Sequence, residues 1–388
     1  MGIYLKIVLG DWRNASRDKR ELRVAKEMGY EVLVIASTKE NKSVFRDKVE
    51  EFEVIRIPTR KYGDGKLKKY LGYLSGFRMY IREAKKIDAE IISGHNYDGL
   101  LVGYWSMKHK KKKSKLLYDS HEFELYQKER NWLGFHLVKA IERFLVKRAD
   151  INMMVTDSIA EQVQKIYSLK EKPLVVRNVP ERYEIHEEIV KKNRKEFMGH
   201  LSIEQNGFIL MHHGGIAPGR GIEEAILATT KLENVGLVIM GYALDQSYKN
   251  ALIRLTQNQN VQNRVYFKDA VSFSELYDYV AAANVGIVLI QNTCASFLYS
   301  LPNKLFENIQ AMTPVIGSDL PEIGRIISEY DIGIKIKPDD MEALVSAIEL
   351  MRKDEGLYQK FKQNQESARD KLCWGEEKKK LKEAIRNI

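Results

Sequence analysis

The chain has 388 residues with the composition of a soluble globular protein, of which 44% are hydrophobic and 30% charged. This length predicts two or three domains, each able to bury its own core. Two distant cysteines exclude a disulfide framework, and no apolar run approaches the roughly 20 residues that span a bilayer. Because no signal segment precedes the first strand-like run, we expect a cytoplasmic protein. The net charge of +10 favours acidic partners such as nucleic acid, anionic lipid or phosphorylated ligands.

Strand-like and helical patterns alternate through the first half of the chain. The β-branched runs predict strands at residues 3–9, 31–35, 53–57, 90–93, 115–118, 151–155 and 174–176. Helical spacing of apolar residues marks 17–28 and 137–147 between them. Alternation of this kind predicts a parallel sheet with helices on both faces, joined by right-handed crossovers.

The same alternation restarts after a polar stretch at residues 180–207, which predicts an interdomain connection and the first helix of a second domain. Strands are expected at 208–212, 235–240, 264–267, 285–290, 313–316 and 333–336. A charged amphipathic helix at 374–388 is expected to cross back to the first domain. The predicted α/β fold is therefore two doubly wound domains facing a cleft, residues 1–181 plus 370–388 and residues 182–369. Ligands in such sheets bind beyond the carboxyl ends of the strands.

The stretch "HHGGIAPGRG", residues 212–221, follows a predicted strand and opens a predicted helix. Its glycine spacing does not match the dinucleotide pattern GxGxxG, and Arg220 and Gly221 replace the lysine and hydroxyl residue of a P-loop. Binding of a diphosphate without a catalytic metal would give each of these residues a role. Gly214 and Gly215 would let the backbone approach the phosphates closely, and the Arg220 guanidinium would donate two parallel hydrogen bonds to them. An ordinary glycine turn with Arg220 in solvent is the alternative.

A second candidate stretch lies at residues 299–327. Pro302 is suited to a first helical turn, which places Lys304 and Glu307 near the start of a helix. The Glu307 carboxylate could accept both hydroxyls of a ribose, or it could simply complement the helix dipole. His212 and His213 are adjacent on a strand and face opposite ways, which argues against a metal pair.

These two stretches together resemble the nucleotide-binding half of retaining glycosyltransferases of family four, which have the GT-B fold. The matching segments are "GGIAPGRGIEEAI" and "PNKLFENIQAMTPVIGSDLPEI". The resemblance implies that Arg220 binds the donor diphosphate and that Glu307, the second acid of an E-x7-E signature, binds the ribose. A similar segment, "NRVYFKDAVSFSELYDYVAAANVGIVLI", implies that the loop at Lys268 and Val271 packs on the base. The signature's first acid is replaced by Tyr299, which puts recognition of the donor sugar in doubt.

The N-terminal half resembles the family less closely. The family's first βαβ unit is similar to the stretch "SRDKRELRVAKEMGYEVLVIA". The Gly-Gly loop that usually precedes this helix in the family is represented here only by Gly10. "YDSHEF" resembles the strand end that offers a histidine to the donor sugar, which implies that role for His121. A loop histidine satisfied by Asp119 or Glu122 is the alternative. "VVRNVP" and "CWGEEKKKLKEAI" resemble the hinge-side end of this domain and the terminal crossover helix.

The family's chemistry is transfer of a sugar from a nucleotide diphosphate, with retention and without a metal. The sequence contains no DxD motif and no recognisable His/Cys cluster for a metal ion. No cofactor is expected beyond the nucleotide-sugar donor, with a UDP-sugar favoured over a GDP-sugar. The residues expected to stabilise the leaving diphosphate or contact the sugar are His121, Arg220 and Lys304, and the other residues expected around the donor are Gly10, Gly214, Gly215, Lys268, Val271, Tyr299, Ser300, Leu301, Asn303 and Glu307.

The acceptor side is less constrained by the sequence. Asp18 and Arg20 in the first helix, together with His95, are acceptor-side candidates, although surface charge is the alternative for the two helical residues. A basic, aromatic stretch at 60–86 is compatible with an interfacial helix on anionic lipid or with a core-packed helix. The lysine run at 108–115 predicts a solvated loop.

No nucleic-acid-binding module is recognisable in the sequence. The expected acceptor is a glycan or a lipid-linked sugar, handled in the cytoplasm or peripherally at the inner membrane face. A sugar-nucleotide epimerase of the same fold and a non-catalytic nucleotide-sugar-binding partner, the latter motivated by Tyr299, are the alternative functions.

Overall fold

The computed structural model of the protein describes residues 2–13, 15–39, 43–59, 66–108, 113–126 and 132–388, and of 66–73 the backbone only. The chain divides into two compact units, Met1–Arg177 with Lys378–Ile388, and Asn178–Glu377. Each unit is built on its own largely parallel sheet. The predicted α/β class with two doubly wound domains is therefore confirmed.

The first unit contains an eight-stranded sheet in the order β3-β4-β2-β1-β5-β6-β7-β8. Its strands are β1 (Ile3–Val8), β2 (Glu31–Thr38), β3 (Phe45–Val49), β4 (Phe52–Pro58), β5 (Ala89–His95), β6 (Lys115–Asp119), β7 (Ile151–Met154) and β8 (Leu174–Val175). Its helices are α1 (Ser16–Glu27), α2 (Lys66–Lys85), α3 (Asn96–Met107), α4 (Trp132–Val146) and α5 (Asp157–Tyr167).

The second unit contains a six-stranded parallel sheet in the order β11-β10-β9-β12-β13-β14. Its strands are β9 (Phe208–His213), β10 (Val235–Met240), β11 (Val265–Lys268), β12 (Val285–Val288), β13 (Val315–Ser318) and β14 (Gly333–Ile336). Its helices are α6 (Glu187–His200), α7 (Ile222–Thr230), α8 (Gln246–Asn258), α9 (Phe273–Ala281), α10 (Ala295–Leu298), α11 (Asn303–Gln310), α12 (Pro321–Tyr330), α13 (Met341–Lys353) and α14 (Glu355–Lys371). The last helix, α15 (Trp374–Arg386), ends in the segment that belongs to the first unit.

Each predicted strand is present within a few residues of its expected position, because most are short apolar runs buried in their sheet. Strand β3 was not predicted from the sequence. It pairs antiparallel with β4 at the sheet edge and is mostly exposed, so it lacks the apolar pattern that marks the other strands.

Strand order reverses once in each sheet, and these two points position the candidate site residues. In the first sheet the chain runs outward from β1 through β2 and β4 and then returns to β5 on the other side of β1. In the second sheet it runs outward from β9 to β11 and returns to β12 beside β9. The carboxyl ends of strands at such reversals leave a crevice that the crossover helices do not cover.

The two basic stretches noted in the sequence lie partly outside the described residues. Within α2, the described side chains begin at Leu74, and Tyr80 is buried with its hydroxyl donating to the Val8 carbonyl at 3.0 Å. No large apolar side chain between 74 and 85 is exposed. This described part of α2 therefore has the character of a core-packed helix. Residues 60–65 and 109–112 are not described.

Candidate functional site

The glycine-rich loop of the second unit connects β9 to α7 and turns sharply at its end. Gly221 caps α7 with φ 70°, and a Cβ at this position would lie 2.2 Å from the Leu289 Cβ. Only glycine fits both the left-handed backbone and this close approach. The loop is held to the neighbouring β-strand connection by the Ile216 amide, which donates to the Tyr242 carbonyl at 2.8 Å. The N-terminus of α7 is therefore fixed at the strand-order reversal.

Arg220 and Lys304 form a pair of neighbouring cations beside this loop. The Arg220 guanidinium packs over Gly215, where a Cβ would lie 3.2 Å from its Nη1 atom. Lys304 is in the first turn of α11, is 5% exposed, and its Nζ has no hydrogen-bond partner among the described residues. Burial, followed by the positive charge of Arg220, lowers the pKa of Lys304 to about 7, although Glu307 acts in the opposite direction. A buried cation without a partner, next to a second cation, is an arrangement that an anion would stabilise.

Glu307 follows Lys304 by one turn of α11 and bonds to β9. Its Oε2 atom lies 3.0 Å from His213 Nε2 at the end of that strand. His212, the preceding strand residue, is fully buried, and burial together with the nearby Lys304 holds its pKa well below the usual value. The two histidines therefore have separate environments, as the strand alternation predicted. The role of His213 in positioning Glu307 was not foreseen.

The other residues expected around the donor lie on the same strand ends and loops of the second unit. Tyr299 ends the short helix α10, and the Ser300 hydroxyl donates to the Phe297 carbonyl at 2.8 Å. Leu301 packs against the apolar cluster under α11. The Asn303 side-chain oxygen accepts from Asn178 Nδ2 at 2.9 Å.

The residues expected near the base, Lys268 and Val271, already make side-chain contacts within the second unit. The Lys268 Nζ donates to Glu196 Oε1 at 2.7 Å and lies 4.4 Å from the centre of the Tyr279 ring. Val271 packs against a neighbouring apolar cluster. Any contact of the Lys268 ammonium with a base would have to compete with this ion pair.

A buried network of charged side chains occupies the strand-order reversal of the first unit. Lys6, on β1, contacts three carboxylates: Glu21 Oε2 at 2.6 Å, Asp119 Oδ2 at 2.8 Å and Asp18 Oδ1 at 3.2 Å. Arg17 Nη2 pairs with Asp119 Oδ1 at 3.0 Å. Burial alone would lower the pKa of Lys6, but these carboxylates raise it above its ordinary value. Lys6 is therefore the central cation of the network.

His121 and His95 are the partly exposed members of this network. His121 Nε2 lies 2.7 Å from Asp119 Oδ2 and 3.2 Å from Asp18 Oδ1, and His95 Nδ1 lies 3.1 Å from Asp18. The two imidazole rings are 3.9 Å apart between centroids. Burial lowers the pKa of His121, but Asp119 and Asp18 outweigh burial and raise it to about 9. His121 is therefore protonated at neutral pH and presents a cation at the end of β6.

The structure corrects the surface interpretation of Asp18. Its side chain is fully buried and bonds both histidines, while Arg20 on the same helix is half-buried. For His121, the contact with Asp119 that the alternative interpretation named is present, and the role at the donor sugar stays a prediction. Gly10 follows β1, and its carbonyl accepts from the Ser37 amide at 3.1 Å. Sequence reasoning missed Lys6 as part of the site, although a lysine inside the apolar strand "IYLKIVL" was an available signal.

The sequence contains no recognisable metal-site motif, but the structure brings four possible ligand residues together. Asp18, His95, Asp119 and His121 each place one ligand atom within 4.8 Å of the others. They come from separate segments, so their spacing in the sequence gave no sign of the cluster. Both carboxylates are already paired with Lys6, and Asp119 also with Arg17. These residues therefore do not fit a divalent ion well, because Lys6 already supplies the central positive charge.

The complete fold resembles known GT-B glycosyltransferases over almost the whole chain. A sucrose-phosphate synthase from Thermosynechococcus elongatus matches with a TM-score of 0.76 at 16% identity, covering 100% of this chain and 99% of its own. The Anabaena protein HepE in complex with UDP-glucose matches with a TM-score of 0.76 at 14% identity, covering 100% of both chains. WaaG, a glycosyltransferase involved in lipopolysaccharide biosynthesis, matches with a TM-score of 0.65 at 18% identity, covering 99% of both chains. These similarities define the GT-B fold.

Two family profiles match complementary parts of the chain. Residues 21–178 match the profile described as Glycosyltransferase Family 4, and residues 193–368 match Glycosyl transferases group 1. Together they cover most of the sequence, so the chain belongs to the family-four glycosyltransferases. No curated protein matches it in sequence. Among the described residues, no helix is long and apolar enough to cross a membrane.

Proposed function

We propose that this protein transfers a sugar from a UDP-sugar to a glycan or lipid-linked acceptor, with retention of the anomeric configuration and without a metal ion. The buried Lys304 ammonium carries the proposal. It lies in the first turn of α11 without a described partner, and burial together with the positive charge of Arg220 lowers its pKa. Because like charges oppose one another in a buried site, a ligand that carries more than one negative charge would stabilise the pair. A nucleotide diphosphate meets this requirement.

The same arrangement supports catalysis of sugar transfer. Negative charge develops on the diphosphate as the sugar–oxygen bond breaks, and Arg220, Lys304 and the N-termini of α7 and α11 supply fixed positive potential for it. The acceptor hydroxyl would attack from the face of the leaving group, with the donor phosphate helping to remove its proton. No side chain then has to act as the nucleophile, and no metal is required to neutralise the diphosphate.

The remaining roles follow from the family resemblance. Glu307, fixed by its bond to His213, would accept the ribose hydroxyls. The loop from Lys268 to Val271 would contact the base, and UDP is favoured over GDP. The protonated His121 would hydrogen-bond the donor sugar or a phosphate oxygen. His95 and Arg20 remain acceptor-side candidates, whereas the buried Asp18 would act through the histidines that it holds.

Donor binding and turnover in matched variants test this proposal. Binding of UDP and of UDP-, GDP-, ADP- and dTDP-sugars is measured by calorimetry, and transfer is measured with and without acceptor in the presence of EDTA. Arg220→Ala and Glu307→Ala are expected to abolish transfer and weaken UDP binding. Lys231→Ala, which removes an exposed lysine just after α7, is the control and is expected to change neither.

Four results would contradict the proposal. Full activity of both variants would remove Arg220 and Glu307 from the donor site. Conversion of the donor without any acceptor would identify an epimerase. Donor binding without turnover on any acceptor would identify a non-catalytic binding protein, and loss of transfer in EDTA would show that a metal is needed.

A further inference from the structure

Helix α4 of the first unit carries an unusual set of exposed apolar side chains. Trp132 and Leu133 are each 71% exposed, Leu137 is 63% exposed and Phe144 is 39% exposed. The opposite face of the helix is also apolar, with Val138, Leu145 and Val146 buried in the core. A helix that is apolar on both faces is normally covered on both. The outward residues therefore form a surface that none of the described residues covers.

This surface continues onto the neighbouring helix α3. Phe144 meets Tyr104 with ring centroids 5.2 Å apart, and Tyr104 in turn meets Trp105 at 5.8 Å. Trp105 is itself 40% exposed. We call the outward side chains of Trp105, Trp132, Leu133, Leu137 and Phe144 the α4 face. From Trp132 to Phe144 the helix rises about 18 Å, so the α4 face is a stripe rather than a single protruding residue.

Basic side chains border the α4 face. The Arg148 guanidinium lies 3.6 Å from the centre of the Phe144 ring, and the Lys108 ammonium lies 4.7 Å from that of Trp105. Arg143 and Lys147 are exposed on or just after the same helix. Aromatic rings with cations at their edges match a surface where an apolar layer meets anionic head groups.

The acidic residue of α4 is kept away from this border. Glu142 is buried, and its two oxygens accept from the hydroxyls of Tyr118 and Tyr167, each at 2.6 Å. The outward face of the helix therefore carries positive charge without a carboxylate from α4 to balance it. Two copies of such a face would repel each other, which disfavours a second copy of the chain as the covering partner.

We infer that the α4 face docks on an anionic lipid bilayer, with its tryptophan, leucine and phenylalanine side chains entering the boundary between head groups and acyl chains. This inference deepens the proposed function, because a lipid-linked acceptor would be presented at the same surface. The α4 face is distinct from the basic stretch at 60–86, for which the sequence left an interfacial helix and a core-packed helix as alternatives.

Vesicle binding by the full chain tests the inference. The probes are vesicles of phosphatidylcholine alone and of phosphatidylcholine with phosphatidylglycerol, and bound protein is measured by flotation. We expect binding only to the anionic vesicles, weakening as salt is raised. Arg143→Glu with Lys147→Glu should reduce binding by at least about thirtyfold, because each basic residue near an anionic surface contributes about 1 kcal/mol.

The apolar part of the α4 face is tested by Leu133→Glu with Leu137→Glu, which should also abolish vesicle binding. The matched control is Leu350→Glu, which changes an exposed leucine on α13 of the second unit and should leave binding unchanged. UDP binding and the thermal midpoint are measured in each variant to establish that it is folded. Retained vesicle binding in both double variants, equal binding to neutral vesicles, or dissociation of a dimer by the leucine variant would overturn the inference. Loss of vesicle binding in the double variants with normal UDP binding supports the inference. If the parent protein binds anionic vesicles but does not bind UDP, the result counts against the proposed function alone.

Discussion

Replacing Lys304 by methionine removes the buried cation of the second unit while keeping an unbranched apolar side chain. In the folded protein, burial and Arg220 lower the pKa of Lys304 to about 7, against an ordinary value of 10.5. One pKa unit corresponds to about 1.4 kcal/mol, so the ammonium costs the ligand-free protein on the order of 5 kcal/mol at pH 7 and below. The cost falls as the pH rises from 7 towards 10.5, because the folded form then releases a proton that the unfolded chain keeps.

Two opposite effects of Lys304→Met follow from this balance. The ligand-free variant should be more stable than the parent at neutral pH, with a thermal midpoint higher by roughly 10 °C or more, since about 1 kcal/mol shifts the midpoint of a domain of this size by roughly 2–4 °C. It should also lose most of its affinity for UDP, because the cation that binds the diphosphate is gone. Lys231→Met, at an exposed position, should do neither.

Proton uptake gives the sharpest measurement of this prediction. A bound diphosphate favours the charged form of Lys304, so UDP binding above pH 7 should take up nearly one proton, and affinity should fall about tenfold for each pH unit above that value. Calorimetry in buffers of different ionisation enthalpy counts the proton, at a pH where the terminal phosphate of UDP is already ionised. The reasoning fails if the parent takes up no proton between about pH 7.5 and 9, or if Lys304→Met takes up the same number.

Two further predictions concern the charged network of the first unit. Because the pKa of His121 is raised to about 9, its contribution to stability is complete below pH 6.5 and is lost as the pH rises through 9. Urea unfolding should show a decline in stability over that window, and His121→Gln should remove it; an unchanged pH profile in the variant would contradict this assignment. Lys6→Ala should cost about 3–5 kcal/mol by leaving buried carboxylates unpaired, and should open Asp18, His95, Asp119 and His121 to a divalent ion. Cobalt absorption should then appear in the folded variant and not in the parent, and equal cobalt binding by the parent would show that Lys6 does not exclude the metal.

The α/β architecture and much of the second unit's site were predictable from local sequence. Alternating apolar runs predicted the strands, the glycine-rich stretch predicted the start of the helix that follows Arg220, and Pro302 predicted the start of the helix that contains Lys304. These features depend on backbone geometry within a few residues, which is why they can be read along the chain. The sequence could not predict that the Lys304 ammonium has no hydrogen-bond partner among the described residues, because its hydrogen bonding depends on every group packed around it.

The sequence by itself determined the two-sheet architecture, the glycine loop and the residue types suited to a diphosphate. Only the tertiary structure decided that Asp18 is buried, that Lys6 joins it to Asp119, and that His213 holds Glu307. It also decided that the uncovered apolar surface lies on α4 rather than on the described part of α2. The physical reason is the same in each case. Helix and strand patterns arise from contacts between near neighbours in the chain, whereas burial and ion pairing arise where strand order brings distant segments together.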